Sequence, residues 1–118
     1  MNEELKEIFG ESISVDGKSV PTAHLKYKGN ELTYVVWTIT AETPVLSADD
    51  EPLYSVFSVD VDVYSNSNYL NVITEIKRIM KANGWLWVGD STEMYEDDTE
   101  LYHKTISFEK ERNIEWQE

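Results

Sequence analysis

The sequence predicts an α+β domain: a mainly antiparallel sheet of four to five strands, one long helix packed on one face, and a short N-terminal helix. Three observations predict it. Stretches near 53–64 and 101–111 alternate apolar and polar residues, the period of a strand with two different faces, and 33–41 is a β-rich run. Between 67 and 82 the apolar residues instead recur at helical spacing. The connections are short and compatible with hairpins, which favours antiparallel pairing. With 118 residues, 41% of them hydrophobic, the chain fits a single domain spanning 1–118 with one core.

Taken in order, residues 3–9 fit a short helix with Leu5, Ile8 and Phe9 on one face and Gly10 ending it. So short a helix must dock, either on its own domain or on a neighbouring subunit. Residues 11–22 read as loop, with a turn at Asp16-Gly17 and Pro21 as a breaker. A hairpin is expected next, with arms Ala23–Lys28 and Thr33–Ala41 around Gly29-Asn30. The second arm is apolar on both faces, as suits a central or partly covered strand. Residues 42–52, ETPVLSADDEP, read as a long acidic loop bounded by Pro44 and Pro52.

The stretch VFSVDVDVY follows, with Phe57, Val59, Val61 and Val63 facing one way and Ser58, Asp60, Asp62 and Tyr64 the other. In the helix, Ser67 or Asn68 is expected to cap the N-terminus. Leu70, Ile73, Ile76, Lys77 and Met80 form its buried stripe, widened by Val72 and Ile79, and Asn83-Gly84 ends it. WLWVG (85–89) is a short strand and 90–100 a second acidic connection. The last strand places Tyr102, Ile106 and Phe108 on one face together with Lys104, which must snorkel or sit at a bulge. The tail holds Ile114 and Trp116. Because the long helix covers one side only, the other side of the sheet needs solvent or a partner.

Charge narrows the classes of function. The formal net charge is −13, and no Lys or Arg lies between Lys28 and Lys77 or between Lys81 and Lys104. Such surfaces repel DNA and anionic membranes and attract cations or basic partners. The absence of cysteine removes disulfides, thiol nucleophiles and Cys-based zinc sites. No basic-then-apolar leader opens the chain, and no apolar run approaches the roughly 20 residues that cross a bilayer.

Asp60 and Asp62 emerge roughly 7 Å apart on one strand face, a spacing open to a hard cation or an acid/base pair. Nothing nearby completes either, and the bland reading is a solvated strand face. Asp49-Asp50-Glu51 and Glu96-Asp97-Asp98 lack the mid-loop glycine of a calcium loop and read as solvated or partner-contacting loops. His24 and His103 have neither the spacing nor the companions of a zinc site. No nucleophile elbow or phosphate-binding glycine loop occurs. No catalytic, cofactor-binding or metal residue is therefore predicted. Four tryptophans are many for this length and suit a core or an interface.

One longer pattern remains. Asp62-Val63-Tyr64-Ser65 leads into a helix closing on Met80, then Gly84-Trp85, then an acidic stretch with Thr99 before Tyr102-His103-Lys104. With PTAHLKYKGNELTYVVWT (21–38), it resembles the tail-completion or tail-terminator proteins of long-tailed phages and prophages of Gram-positive bacteria. The resemblance covers about residues 20–110 and rests on the order and spacing of its motifs. It implies a non-catalytic virion protein, assembled in the host cytoplasm, whose homohexameric ring caps the tail tube and joins it to the head connector. DNA passes through such a ring without specific binding, and neither membrane nor cofactor is involved. On that reading Asp60 and Asp62 border the channel. The short N-terminal helix and the tail ERNIEWQE depart from the family pattern. The alternative is an acidic protein-binding module or regulator acting as monomer or dimer; an enzyme ranks third.

Overall fold

The computed structural model describes residues 2–46 and 52–113. Its elements are α1 (Asn2–Phe9), β1 (Ser12–Val15), β2 (Lys18–His24), β3 (Thr33–Leu46), β4 (Pro52–Ser65), α2 (Leu70–Ala82), β5 (Leu86–Asp90), β6 (Met94–Glu96) and β7 (Leu101–Asn113). The described residues thus form seven strands and two short helices of 8 and 13 residues, which corrects the expectation of four to five strands and one long helix. The strand order is β1-β2-β3-β4-β7-β5, with β6 also paired to β7.

The extra strands come from segments read as connections. Residues 11–22 contain the β1–β2 hairpin, which turns at Asp16 and Gly17 with φ of 52° and 79°. Its burial alternates, with Ile13, Val15, Val20 and Thr22 inside. The described part of 42–52 continues β3 and β4 rather than looping. Pro44 is tolerated because β3 is an edge strand there, its pairing to β2 covering only Val35–Trp37. Residues 94–96 add a strand that, with β5, makes one interrupted edge along β7. Ser91 joins the two pieces, its N–H donating to the Thr105 carbonyl at 2.8 Å and its Oγ accepting from the Thr105 N–H at 2.9 Å.

The expected hairpin around Gly29-Asn30 is also corrected. β2 pairs with β3 in parallel, His24 opposite Trp37. The chain leaves β2 at Leu25, whose φ is 67°, and residues 25–32 carry it back to the start of β3. Its neighbours conform to expectation: β3 with β4 and β4 with β7 are antiparallel.

Both helices lie on one face of the sheet. Leu5 and Phe9 from α1 join Val72, Ile73, Ile76 and Met80 from α2 over Val35, Trp37, Val59, Val61, Val63, Ile106 and Phe108. Leu70 is exposed instead of buried, and Tyr69 takes the cap position and enters the core. Ser67 does not cap the helix, but Asn68 Oδ1 accepts from the free Leu70 N–H at 3.0 Å. Gly84, with φ of 85°, ends α2 as expected and lets the Trp85 N–H reach back to the Met80 carbonyl at 2.9 Å. Lys104 keeps its register opposite Val63 and snorkels, its Nζ 3.6 Å from Asp90 Oδ2.

Beyond the helices the sheet runs on as an arm made from the ends of β3, β4 and β7. Pairing continues there from Thr43 opposite Val56 to Val45 opposite Tyr54, and from Val56 opposite Glu111 to Tyr54 opposite Asn113. The arm gives the molecule extents of 51 × 26 × 23 Å and a radius of gyration of 16.0 Å. A compact chain of this length would have about 13.5 Å. Where the arm begins, Thr40 is an extra residue between Ile39 opposite Val59 and Ala41 opposite Ser58. This bulge exchanges the two faces of β3 while β4 keeps its own.

Candidate functional site

The face of the sheet away from the helices carries Asp60 and Asp62 as expected, but neither is a freely solvated carboxylate. Asp60 Oδ1 accepts from Ser107 Oγ at 2.8 Å. Asp62 Oδ1 accepts from Thr105 Oγ1 and lies 2.8 Å from His103 Nε2. An ionised carboxylate only accepts, so Nε2 carries the hydrogen of that bond. All three partners come from β7, which pairs Asp60 with Ser107 and Asp62 with Thr105. The polar side of the strand is therefore a set of cross-strand links.

The other nitrogen of His103, Nδ1, lies 3.5 Å from Glu96 Oε1 on β6. The imidazole thus sits between two carboxylates, one from each neighbouring strand. Its ring stacks on Tyr64 with centroids 4.2 Å apart. Tyr64 stacks on Tyr34 at 4.8 Å and Tyr34 on Tyr27 at 4.3 Å, so four rings run across β7, β4, β3 and the 25–32 connection. Burial first, then the charges of Asp62 and Glu96 and the neighbouring Tyr34, push the Tyr64 phenol up to about 12. Tyr34 is raised too, by burial foremost and then by Glu96 and Tyr27. Both phenols are neutral donors at ordinary pH.

Beside this stack lies an open cleft of about 270 Å³, bordered by Tyr27, Tyr34, Tyr64, Asp62 and Glu96. Hydrolytic Asp-His chemistry needs a hydroxyl or thiol at the free imidazole nitrogen, and here a carboxylate stands there. Among the described residues no group of three or more His, Asp or Glu is placed to hold a metal ion. What the arrangement does is tie β7 to β4 through the carboxylates of the face that bears no helix.

The remaining expected contact residues divide. Glu96 joins the site through His103, and Thr99 Oγ1 donates to Glu96 Oε2 at 3.3 Å. Asp97 and Asp98 lie exposed in the turn between β6 and β7. Asp49, Asp50 and Glu51 lie outside the described residues, as do Ile114 and Trp116. Sequence reasoning missed His103 and the tyrosines as parts of the Asp62 site. The only signal for them was alternation within each strand, which turns Tyr34, Asp62 with Tyr64, and His103 away from the apolar faces of their own strands. No helix among the described residues is long and apolar enough to cross a membrane. No protein-family model matches the chain, and no curated protein matches it.

Proposed function

We propose that this chain is a structural protein of a phage or prophage tail, a non-catalytic subunit of a homohexameric ring that caps the tail tube and joins it to the head connector. The motif order over about residues 20–110 supports the reading. The observation that carries it is the sheet face that bears no helix, where hydrogen bonds from β7 hold the carboxylates of Asp60 and Asp62 in place. A wall of fixed carboxylates suits a channel through which DNA slides, because like charges keep the phosphates from sticking. The three-stranded arm supplies a long surface for tube or connector contacts, and the exposed Asp97-Asp98 turn a second one.

The test is to add the purified protein to polymerising tail tubes and to examine their ends by electron microscopy. Capped tubes of fixed length are the expected result. Tubes that elongate unchanged in excess protein, with the protein staying monomeric or dimeric, would overturn the reading in favour of an acidic binding module. Replacing both carboxylates (Asp60→Asn, Asp62→Asn) keeps acceptors for Ser107, Thr105 and His103 while removing the charge. Capping should persist and DNA passage should slow. Carboxylates found on the outside of the ring would refute their placement at the channel.

A further inference from the structure

Asparagine before glycine is the dipeptide most prone to lose its side-chain amide, and the chain holds it once, at Asn83-Gly84. Glycine matters because, without a Cβ, its backbone nitrogen can approach the side-chain carbon of the residue before it. Both residues are exposed, at the C-terminal end of α2. Even a Cβ on Gly84 would meet nothing nearer than Lys110 Cε at 3.5 Å, so the site is open to water and base. Asn66-Ser67 is the other pair with a small follower, but Ser67 carries a side chain and its N–H is tied to Ser65 Oγ at 3.2 Å.

The fold holds the two reacting atoms apart. Asn83 Nδ2 donates back along the helix to the Ile79 carbonyl at 2.8 Å. The Gly84 N–H donates to the Lys81 carbonyl at 3.1 Å. The Asn83 carbonyl between them accepts from Lys110 Nζ at 2.9 Å. The Asn83 N–H is bonded too, to the Ile79 and Met80 carbonyls at 3.2 and 3.1 Å. Nucleophile and target therefore point at different acceptors, and they meet only when the last turn of α2 opens. Helix ends fray, so this is where local opening costs least.

We infer that Asn83-Gly84 is a deamidation site whose reaction is gated by the opening of the C-terminal turn of α2. Once the turn opens, base takes the proton of the Gly84 nitrogen, which attacks Asn83 Cγ. The new C–N bond closes a succinimide ring, the Cγ–Nδ2 bond breaks, and the amide nitrogen leaves as ammonia. Water then opens the ring. Cleavage at Cγ gives aspartate, and cleavage at the main-chain carbonyl gives isoaspartate, whose backbone runs through Cβ. Either product puts a carboxylate at the negative end of the helix dipole. Isoaspartate also lengthens the turn through which the Trp85 N–H reaches the Met80 carbonyl at 2.9 Å. The modified chain thus loses the helix end that seats Trp85. The inference is independent of the tail reading.

The experiment incubates the full chain in mildly alkaline buffer, native and in guanidinium chloride, and follows each asparagine by peptide mass spectrometry. Isoaspartate is read by enzymatic methyl transfer from S-adenosylmethionine to its carboxylate. Asn83 is expected to react first, and roughly tenfold or more slowly in the native protein than in the unfolded one. Lys110→Ala removes the bond to the Asn83 carbonyl and should raise the native rate about threefold or more, with the unfolded rate unchanged. Lys110 also pairs with Glu4, so Glu4→Gln is the control: it spares the bond to Asn83 and should leave the native rate as it was. Asn83→Gln, which would need a larger ring, should abolish the signal. Circular dichroism checks that the variants fold. Equal native and unfolded rates, a Lys110→Ala rate no faster than the wild type, a Glu4→Gln rate as fast as that of Lys110→Ala, or Asn66 reacting before Asn83 would each overturn the inference.

Discussion

His103 Nε2 and Asp62 Oδ1 lie 2.8 Å apart, joining β7 to β4 across a sheet face that carries no helix. The same oxygen also accepts from Thr105, so one carboxylate ties two residues of the neighbouring strand. Hydrogen bonds to a charged group contribute about 1.5–3 kcal/mol each, less where water competes, and here the side chains of His103 and Asp62 are 13% and 21% exposed. Asp62→Ala should therefore cost about 2 kcal/mol in urea unfolding, and Asp62→Asn about 1 kcal/mol. Losses below about 0.5 kcal/mol for Asp62→Ala would show that the link is idle.

Tyr64 predicts an alkaline limit. Its phenol is raised from 10.0 to about 12, by burial first and then by Asp62, Glu96 and Tyr34. The unfolded chain ionises first, so this contribution is complete below pH 10 and is lost as pH rises toward about 12. Thermal unfolding across that window should fall more steeply for the wild type than for Tyr64→Phe, which has no phenol to ionise. Identical slopes would contradict the shift.

Asp90 predicts an acid limit at the opposite edge. Burial acts to raise its carboxyl, but hydrogen bonds from Trp87 and Lys77 and the charges of Lys77 and Lys104 outweigh it, and the net shift is downward. A depressed carboxyl contributes stability above its unfolded value, about 4, and loses it as pH falls through the folded one. Asp90→Asn should be less stable than the wild type at pH 7, with the difference shrinking in acid. A difference that grows in acid would reverse the assignment.

Core packing gives the largest expected effect. Ile76 is fully buried beneath the sheet, and Ile76→Ala should lose about 2–5 kcal/mol. Gly84→Ala tests the helix end separately. A Cβ there would only touch Lys110 at 3.5 Å, so its cost is that of the left-handed backbone, about 1–2 kcal/mol. A loss much larger than this would mean that the side chain clashes.

Period was readable in the sequence, and pairing was not. Val59, Val61 and Val63 point into the core and Asp60 and Asp62 away from it, as alternation requires. The helical spacing of Ile73, Ile76 and Met80 likewise marked the buried face of α2. β1 was hidden because a four-residue strand carries too little pattern, and β2 because Pro21 within its seven residues reads as a breaker. The parallel pairing of β2 was hidden for another reason. The chain turns at Leu25, whose positive φ no local residue announces, while Gly29-Asn30 advertises a turn that does not make a hairpin. The Asp62–His103 link spans 41 residues and depends on the β4–β7 register, which composition does not encode.

The arm has a mechanical consequence. β4 passes without a break from the arm into the core, with β3 antiparallel on one side and β7 on the other. A pull along its axis, from anything that grips the arm, loads both ladders in shear. Many hydrogen bonds then share the force at once, in place of opening one after another like a zipper. The strand that bears this load is also the one that holds Asp60 and Asp62, so traction on the arm is delivered to the open face as tension along its central strand.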